Sequence, residues 1–168
     1  MSMSSFITAM RVELRPIASF DDAAAVTEFC DAVRSEPRYF GPNAEPKAPP
    51  LTASRLLHPA GPVCVGAFLG DALVGLARLE PRRDARIGAG LTVVVRSPWR
   101  RAGVGTKLVR SVVLDPTARD LRTASMVVAK NNRAALALGR ACGMDRIELA
   151  ADRIELRARL GQPTLRCA

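Results

Sequence analysis

The chain has few of the side chains that acid–base enzymes and nucleic-acid binders lean on. Its 168 residues hold one histidine, one tyrosine, one tryptophan and five phenylalanines. So few aromatics leave little surface for stacking bases, which argues against a nucleic-acid-binding role. Long apolar runs are missing too, since the longest are broken by glycine or arginine, so no membrane span is expected. Residues 1–9, a short N-terminal extension, lack the basic start and long apolar centre of a signal peptide, and a cytoplasmic location is expected. Cys30, Cys64, Cys142 and Cys167 are scattered, with neither paired metal spacing nor a compact disulfide framework. Free, mostly packed thiols and no metal site are expected. Acidic charge is scarce as well: 16 Asp and Glu face 25 Lys and Arg, a formal net charge of +9. That excess is spread along the chain, so a polyanionic small molecule is a more economical partner than a nucleic acid.

What is present is a core. With 48% hydrophobic residues, the chain suffices for one domain, expected over residues 10–160 with a short tail at 161–168. Met10 to Ile17 alternates as a first strand, and a helix beginning at Asp21 carries Ala25, Val26, Phe29 and Val33. Arg38 to Pro50 holds Pro42, Pro46, Pro49 and Pro50 and reads as a loop; a short helix follows over Ser54 to Leu57. Val63–Leu69 and Ala72–Leu79 are two strands joined at Gly70-Asp71 as a hairpin. A fourth strand is expected over Ile87–Val95, a helix over Gly103–Leu114, a fifth strand over Ala124–Ala129, a helix over Arg133–Ala141, and two strands over Arg146–Leu149 and Arg153–Arg157. The order is that of a mixed α/β domain.

The densest information lies between Leu91 and Val113. A β-branched run through Val93, Val94 and Val95 leads into Arg100-Arg101-Ala102-Gly103-Val104-Gly105-Thr106-Lys107, and Val104, Leu108, Val109, Val112 and Val113 then recur at helical spacing. Glycines at a helix start let a ligand approach the backbone, and the unpaired N–H groups of the first turn can face a phosphate. The order Gly105-Thr106-Lys107 is not that of a P-loop, and a dinucleotide fingerprint begun at Gly103 would need glycine where Leu108 stands.

Arg-x-x-Gly-x-Gly over Arg100–Gly105 resembles the acyl-CoA pyrophosphate loop of the GCN5-related N-acetyltransferase (GNAT) superfamily. Downstream, Asn132 to Met144 resembles the family's second CoA element, Asn-x-x-Ala-x-x-Leu-Tyr-x-x-x-Gly-Phe, matching at Asn132, Ala135, Leu138 and Gly143. Asn131 or Asn132 caps that helix, and Gly143 closes it. The resemblance covers roughly Val12 to Leu160. It implies a central, mostly antiparallel sheet splayed between strands four and five and flanked by helices, with acetyl-CoA as cofactor. The cofactor-binding residues it implies are Val93, Val95, Arg100, Arg101, Ala102, Gly103, Val104, Gly105, Thr106 and Asn132, with Lys107 adding charge.

Acyl transfer to an amine needs a route for the amine's proton and donors for the developing oxyanion. The resemblance assigns the donor to the backbone N–H of Val95. The family's usual side chains are absent: Gly139 stands at the Tyr position and Gly90 at that of the strand-four Glu. Glu80 and Asp84 are the substitute bases considered. His58, Cys142 and Tyr39 rank below them as loop or packing residues. The function implied is acetyl transfer from acetyl-CoA to an amine, a protein lysine or a small molecule. A protein lysine is preferred because Gly75-Leu-Ala-Arg78 and Val95-Arg-Ser-Pro-Trp-Arg100 resemble the lysine-modifying branch. The alternative is a catalytically silent CoA-binding module, and a basic nucleic-acid binder ranks third. A second copy of the chain is a further expected partner, as a homodimer.

Overall fold

A computed structural model describes residues 12–17, 22–36, 52–57, 63–82, 88–118 and 120–160. Among the described residues, seven strands make one sheet: β1 (Glu13–Pro16), β2 (Val63–Leu69), β3 (Ala72–Pro81), β4 (Gly88–Val95), β5 (Thr123–Ala129), β6 (Asp145–Glu148) and β7 (Arg153–Arg159). Their spatial order is β1-β2-β3-β4-β5-β7-β6, and every pairing is antiparallel except β4 with β5. Four α-helices accompany them: α1 (Ala23–Arg34), α2 (Ala53–Leu56), α3 (Val104–Val113) and α4 (Arg133–Ala141).

Strand alternation and helical spacing sort the apolar residues onto two sides of the sheet. On one side α1 buries Val26, Phe29, Cys30 and Val33 against Ile17, Phe68, Leu73, Leu76 and Val94. On the other, Val104, Leu108, Val109, Val112 and Val113 of α3 pack on Val63, Val65, Ala67, Ala77, Leu79 and Leu91. Leu108 is fully buried, and removing such a side chain from water contributes about 1.5–3 kcal/mol. Below α1, Asp22 stands at the N-cap but its side chain caps nothing. Its buried carboxylate instead accepts a hydrogen bond from Arg15 at 2.7 Å, and that guanidinium lies 3.7 Å above the Phe68 ring.

The differences from the sequence-based boundaries have local causes. The short helix spans Ala53–Leu56 rather than Ser54–Leu57, and β3 runs on to Pro81 because it pairs with β4 as far as Ala89. The strand expected at Arg146–Leu149 is Asp145–Glu148, so Leu149 falls outside it and is exposed. Two 3-10 turns, Ser97–Trp99 and Pro116–Ala118, were not expected; proline fixes φ at the second and first position respectively. The hairpin turn at Gly70 has φ +56, which glycine adopts without steric cost. Met10, Asp21, Ile87, Cys167 and the Arg38–Pro50 loop lie outside the described residues.

Candidate active site

The sheet opens between β4 and β5. β4 pairs with β3 along its whole length, from Ala89 opposite Pro81 to Val95 opposite Gly75, but with β5 only over Gly88–Gly90 against Thr123–Ser125. Arg96 N–H donates to Val74 O at 3.0 Å, which makes Val95 and Gly75 a non-hydrogen-bonded antiparallel pair. By alternation Val93 and Ala77 are another. The N–H groups of Val93 and Val95 therefore point away from β3, into the gap where β5 has already diverged.

The gap leads to the start of α3. Gly103, φ +78, is the N-cap, with no side-chain cap, and the first helical bond runs from Lys107 N–H to Gly103 O at 3.1 Å. The N–H groups of Val104, Gly105 and Thr106 have no acceptor inside the helix. Arg101 also has positive φ, +66, the one non-glycine residue among those described to do so. Left-handed residues on either side of Ala102 bend the chain into a concave row of amides, a geometry suited to anions. An arginine held there is strained by about 1–3 kcal/mol, a cost that tends to persist where a ligand uses the shape. Arg101 and Lys107 are exposed beside it. A Cβ on Gly105 would lie 3.6 Å from Leu138 and 3.8 Å from Val95, so α4, α3 and the end of β4 converge on that glycine.

Arg100 is differently engaged. Its Nε donates to Val95 O at 2.8 Å and its Nη2 to Glu36 Oε2 at 2.6 Å, while Glu36 Oε1 accepts from Ser97 N–H at 2.8 Å. Two residues past the end of α1, one carboxylate thus anchors the basic loop from behind. The sequence carries no signal of this tie, because Glu36 and Arg100 are 64 residues apart. At the other helix, Asn132 rather than Asn131 is the cap: its Oδ1 accepts from Ala135 N–H at 3.1 Å. Gly143, φ +61, closes α4 as expected.

The catalytic candidates separate. Glu80 lies directly opposite Gly90 on the neighbouring strand, so both point to the α1 side of the sheet. Its carboxylate is 4.0 Å from the buried Arg78 guanidinium. Among the described residues, a Cβ on Gly90 would meet only Glu80 O, at 3.7 Å. Asp84, His58 and Tyr39 fall outside the described residues. Cys142 is buried, and burial pushes its thiol above the ordinary range, as it does for Cys30 and, to about 11, for Cys64. Gly139 differs from Gly90: a Cβ there would come within 2.8 Å of Leu156 Cδ1 on β7. Leu156 thus occupies the space that a side chain at position 139 would enter.

The sequence reasoning overlooked a polar row across the sheet. Glu80, Gly90, Ser125 and Arg157 are successive lateral partners on β3, β4, β5 and β7. Beside it lies a cavity of about 270 Å³, lined in part by Arg82, Ser125, Glu155 and Arg157. The alternation Arg153-Ile-Glu-Leu-Arg157 was the available signal, since it sends Glu155 and Arg157 to one face.

The family model for the acetyltransferase (GNAT) family matches residues 27–144. A comparison with curated protein sequences finds no match. Solved structures with the same fold include YncA, a putative acetyltransferase from Salmonella typhimurium with its cofactor acetyl-CoA, at 17% identity and TM-score 0.66, covering 90% of this chain and 95% of that one. The GNAT domain of PAT from S. lividans matches at 19% identity and TM-score 0.68, covering 89% and 90%. Ribosomal-protein-alanine N-acetyltransferase from Brucella melitensis matches at 18% identity and TM-score 0.63, covering 88% and 99%. With the forked sheet, the uncapped glycine loop and a family match across most of its length, the chain belongs to the GNAT acetyltransferase family.

Proposed function

We propose that the protein is an N-acetyltransferase that takes its acyl group from acetyl-CoA and passes it to an amine. The observation that carries this is the pairing of a β4–β5 gap, with the Val93 and Val95 amides turned into it, and an uncapped left-handed loop at the start of α3. The amides from Arg101 to Thr106, those of Arg101, Ala102, Gly103, Val104, Gly105 and Thr106, hold the pyrophosphate. Arg101 and Lys107 supply charge, and Arg100 acts mainly by holding the loop against Glu36. Asn132 starts α4 and keeps its side-chain N–H₂ for the cofactor arm. When bound, acetyl-CoA supplies an activated thioester acyl group.

Val93 and Val95 divide the backbone work. Val95, nearer the loop, suits the pantetheine arm, and Val93, nearer the fork, is placed as well as Val95 for the acyl oxygen. Donors fixed in a strand need no reorganisation as charge develops on that oxygen. The acceptor's nitrogen loses a proton and forms the new N–C bond as the C–S bond breaks; the departing thiolate takes up a proton. Glu80 is the base proposed, acting directly or through water, because it faces the same side as Gly90 beside the fork. Turnover rises with pH as the acceptor's ammonium deprotonates. Asp84 remains the alternative base proposed.

Gly90 and Gly139 favour a second reading, a module that binds CoA without turnover. Release of free thiol from acetyl-CoA in the presence of an amine panel separates the two. Amine-dependent release is expected of the enzyme, and saturable binding without release of the module. No helix among the described residues is long and apolar enough to cross a membrane.

A further inference from the structure

Two hydroxyls stand on the α1 side of the sheet where it forks. Along β4, Leu91, Val93 and Val95 pack toward α3 and Val94 packs toward α1, so Gly90 and Thr92 share the α1 side with Val94. Thr92 is the one exposed residue of β4, although that strand lies in the middle of the sheet. The layer that covers Val94 therefore stops short of Thr92, and solvent reaches the strand one residue from the Val93 amide. Ser125 is the partner of Gly90 on β5, at the last rung before the strands part, and it lines the cavity beside the fork. It is 7% exposed. Among the described residues, neither hydroxyl makes a hydrogen bond. Buried polar groups are seldom left so, because an unpaired hydroxyl out of water costs free energy. Glu80 is the partner of Gly90 on β3, and the buried Arg78, 4.0 Å from Glu80, is the partner of Thr92. Glu80, Thr92 and Ser125 thus surround a residue that has no side chain of its own.

We infer that Thr92 and Ser125 hold the acceptor's nitrogen on the α1 side of the fork. A hydroxyl oxygen has two lone pairs that accept, so each of the two can take an N–H bond from the amine. A neutral primary amine has two N–H bonds and one lone pair. With both N–H bonds given to the hydroxyl oxygens, the lone pair stays free for the acyl carbon. Thr92 adjoins Val93 in the chain, so the nitrogen is held beside an amide proposed for the acyl oxygen. Glu80, across Gly90 from Ser125, lies on the same face to receive the proton that the nitrogen loses. Fixing the reacting atoms in near-attack geometry raises the rate independently of the strength of the base. The inference rests on the acetyltransferase reading and assigns two further residues to the same site. It also accounts for a polar side chain at the buried position 125.

The test measures thiol release by the full chain with acetyl-CoA and spermidine, a lysine-containing peptide or L-methionine, and carries the fastest acceptor into the variants. Thr92→Val keeps the shape of the side chain and removes its hydroxyl, and Ser125→Ala removes the other. Each should lower kcat/KM for the amine about tenfold, with acetyl-CoA affinity unchanged in calorimetry. Ser125→Ala should melt no lower than the parent, because the group it removes is buried and unpaired. Thr92→Ser, which restores the oxygen, should keep most of the activity. Thr92→Phe, accommodated at an exposed position, should block the acceptor without weakening acetyl-CoA binding. Parental kcat/KM in either Thr92→Val or Ser125→Ala overturns the pair and leaves the acetyltransferase intact. If the parent releases no thiol with any of these amines, the acetyltransferase reading fails, and calorimetry of the same amines on CoA-loaded protein decides the rest. Binding that weakens in both variants supports the hydroxyl pair; absence of binding, or binding that either variant leaves unchanged, overturns it.

Discussion

The two sides of the fork are built from different materials. On the side proposed for the cofactor the groups on offer are backbone amides, in one continuous stretch from Val93 to Thr106, with glycine where the chain must turn or be approached. On the α1 face they are side chains drawn from β3, β5 and β7, in a lateral row that no contiguous motif encodes. A backbone-built seat tolerates wide sequence change outside its glycines. A row of side chains changes its chemistry with each substitution.

The sharpest way to break that contrast is at Gly105. Its Cβ would meet only ordinary contacts in the free protein, at 3.6 Å and beyond, so Gly105→Val should fold. Blocking the amide row removes hydrogen bonds to a charged group worth about 1.5–3 kcal/mol each, a loss of acetyl-CoA affinity on the order of 10–100-fold. Arg101→Ala, on the same loop, should lose only a few-fold; calorimetry on the pair checks the difference.

Gly139 tests whether the absent tyrosine is a simple vacancy. Gly139→Tyr must push aside Leu156, and overpacking of this kind costs about 1–3 kcal/mol. A double variant, Gly139→Tyr with Leu156→Ala, should recover most of that stability in denaturant melts. Full stability of the single variant would contradict the packing described.

The basic loop is tied to the end of α1 through Glu36. Glu36→Ala frees both Arg100 and the Ser97 amide, and losing hydrogen bonds to a charged group should cost about 1–3 kcal/mol. Because Arg100 also holds Val95 O, weaker acetyl-CoA binding should accompany the fall in stability, whereas Glu36→Gln should retain part of both. Unchanged cofactor affinity in Glu36→Ala would confine the tie to stability.

Asn132 sharpens the comparison further, since its side chain caps α4 and is also proposed to reach the cofactor arm. Asn132→Ala should lose about 1 kcal/mol of capping, while Asn132→Ser keeps a neutral oxygen acceptor for Ala135 N–H and loses the amide N–H₂. Weaker acetyl-CoA binding by Asn132→Ser at unchanged thermal stability assigns that donor to the cofactor. The smallest effect is expected far from the fork, at exposed Glu148. Hydrogen bonds from Lys130 and Arg146 hold its carboxyl below its ordinary pKa of 4.5, so its contribution is present above that value and fades as pH falls through the lowered one. Glu148→Gln should melt slightly lower than the parent at pH 7, with the difference vanishing in acid.

How much was legible follows the same division. The expected helix over Arg133–Ala141 was found with those bounds, because Asn132 and Gly143 punctuate it locally. The splay of β4 from β5 was implied by family resemblance and appears as a ladder that ends at Gly90. Glu36 beneath Arg100, Leu156 against Gly139 and Arg157 across from Ser125 were not legible, since each pair meets only when distant strands and helices pack. Gly90 shows the limit most plainly: in sequence it was a missing base, and in the fold it stands directly opposite Glu80.

The measurement closest to the central claim is residue-resolved amide hydrogen exchange with and without acetyl-CoA. A backbone seat predicts that protection rises at Val93 and Val95 and across Arg101–Thr106, and that Thr123, Ser125 and Arg157 change little. Unchanged exchange at the Val93 and Val95 amides and through the loop, with saturating acetyl-CoA bound elsewhere, would contradict the account.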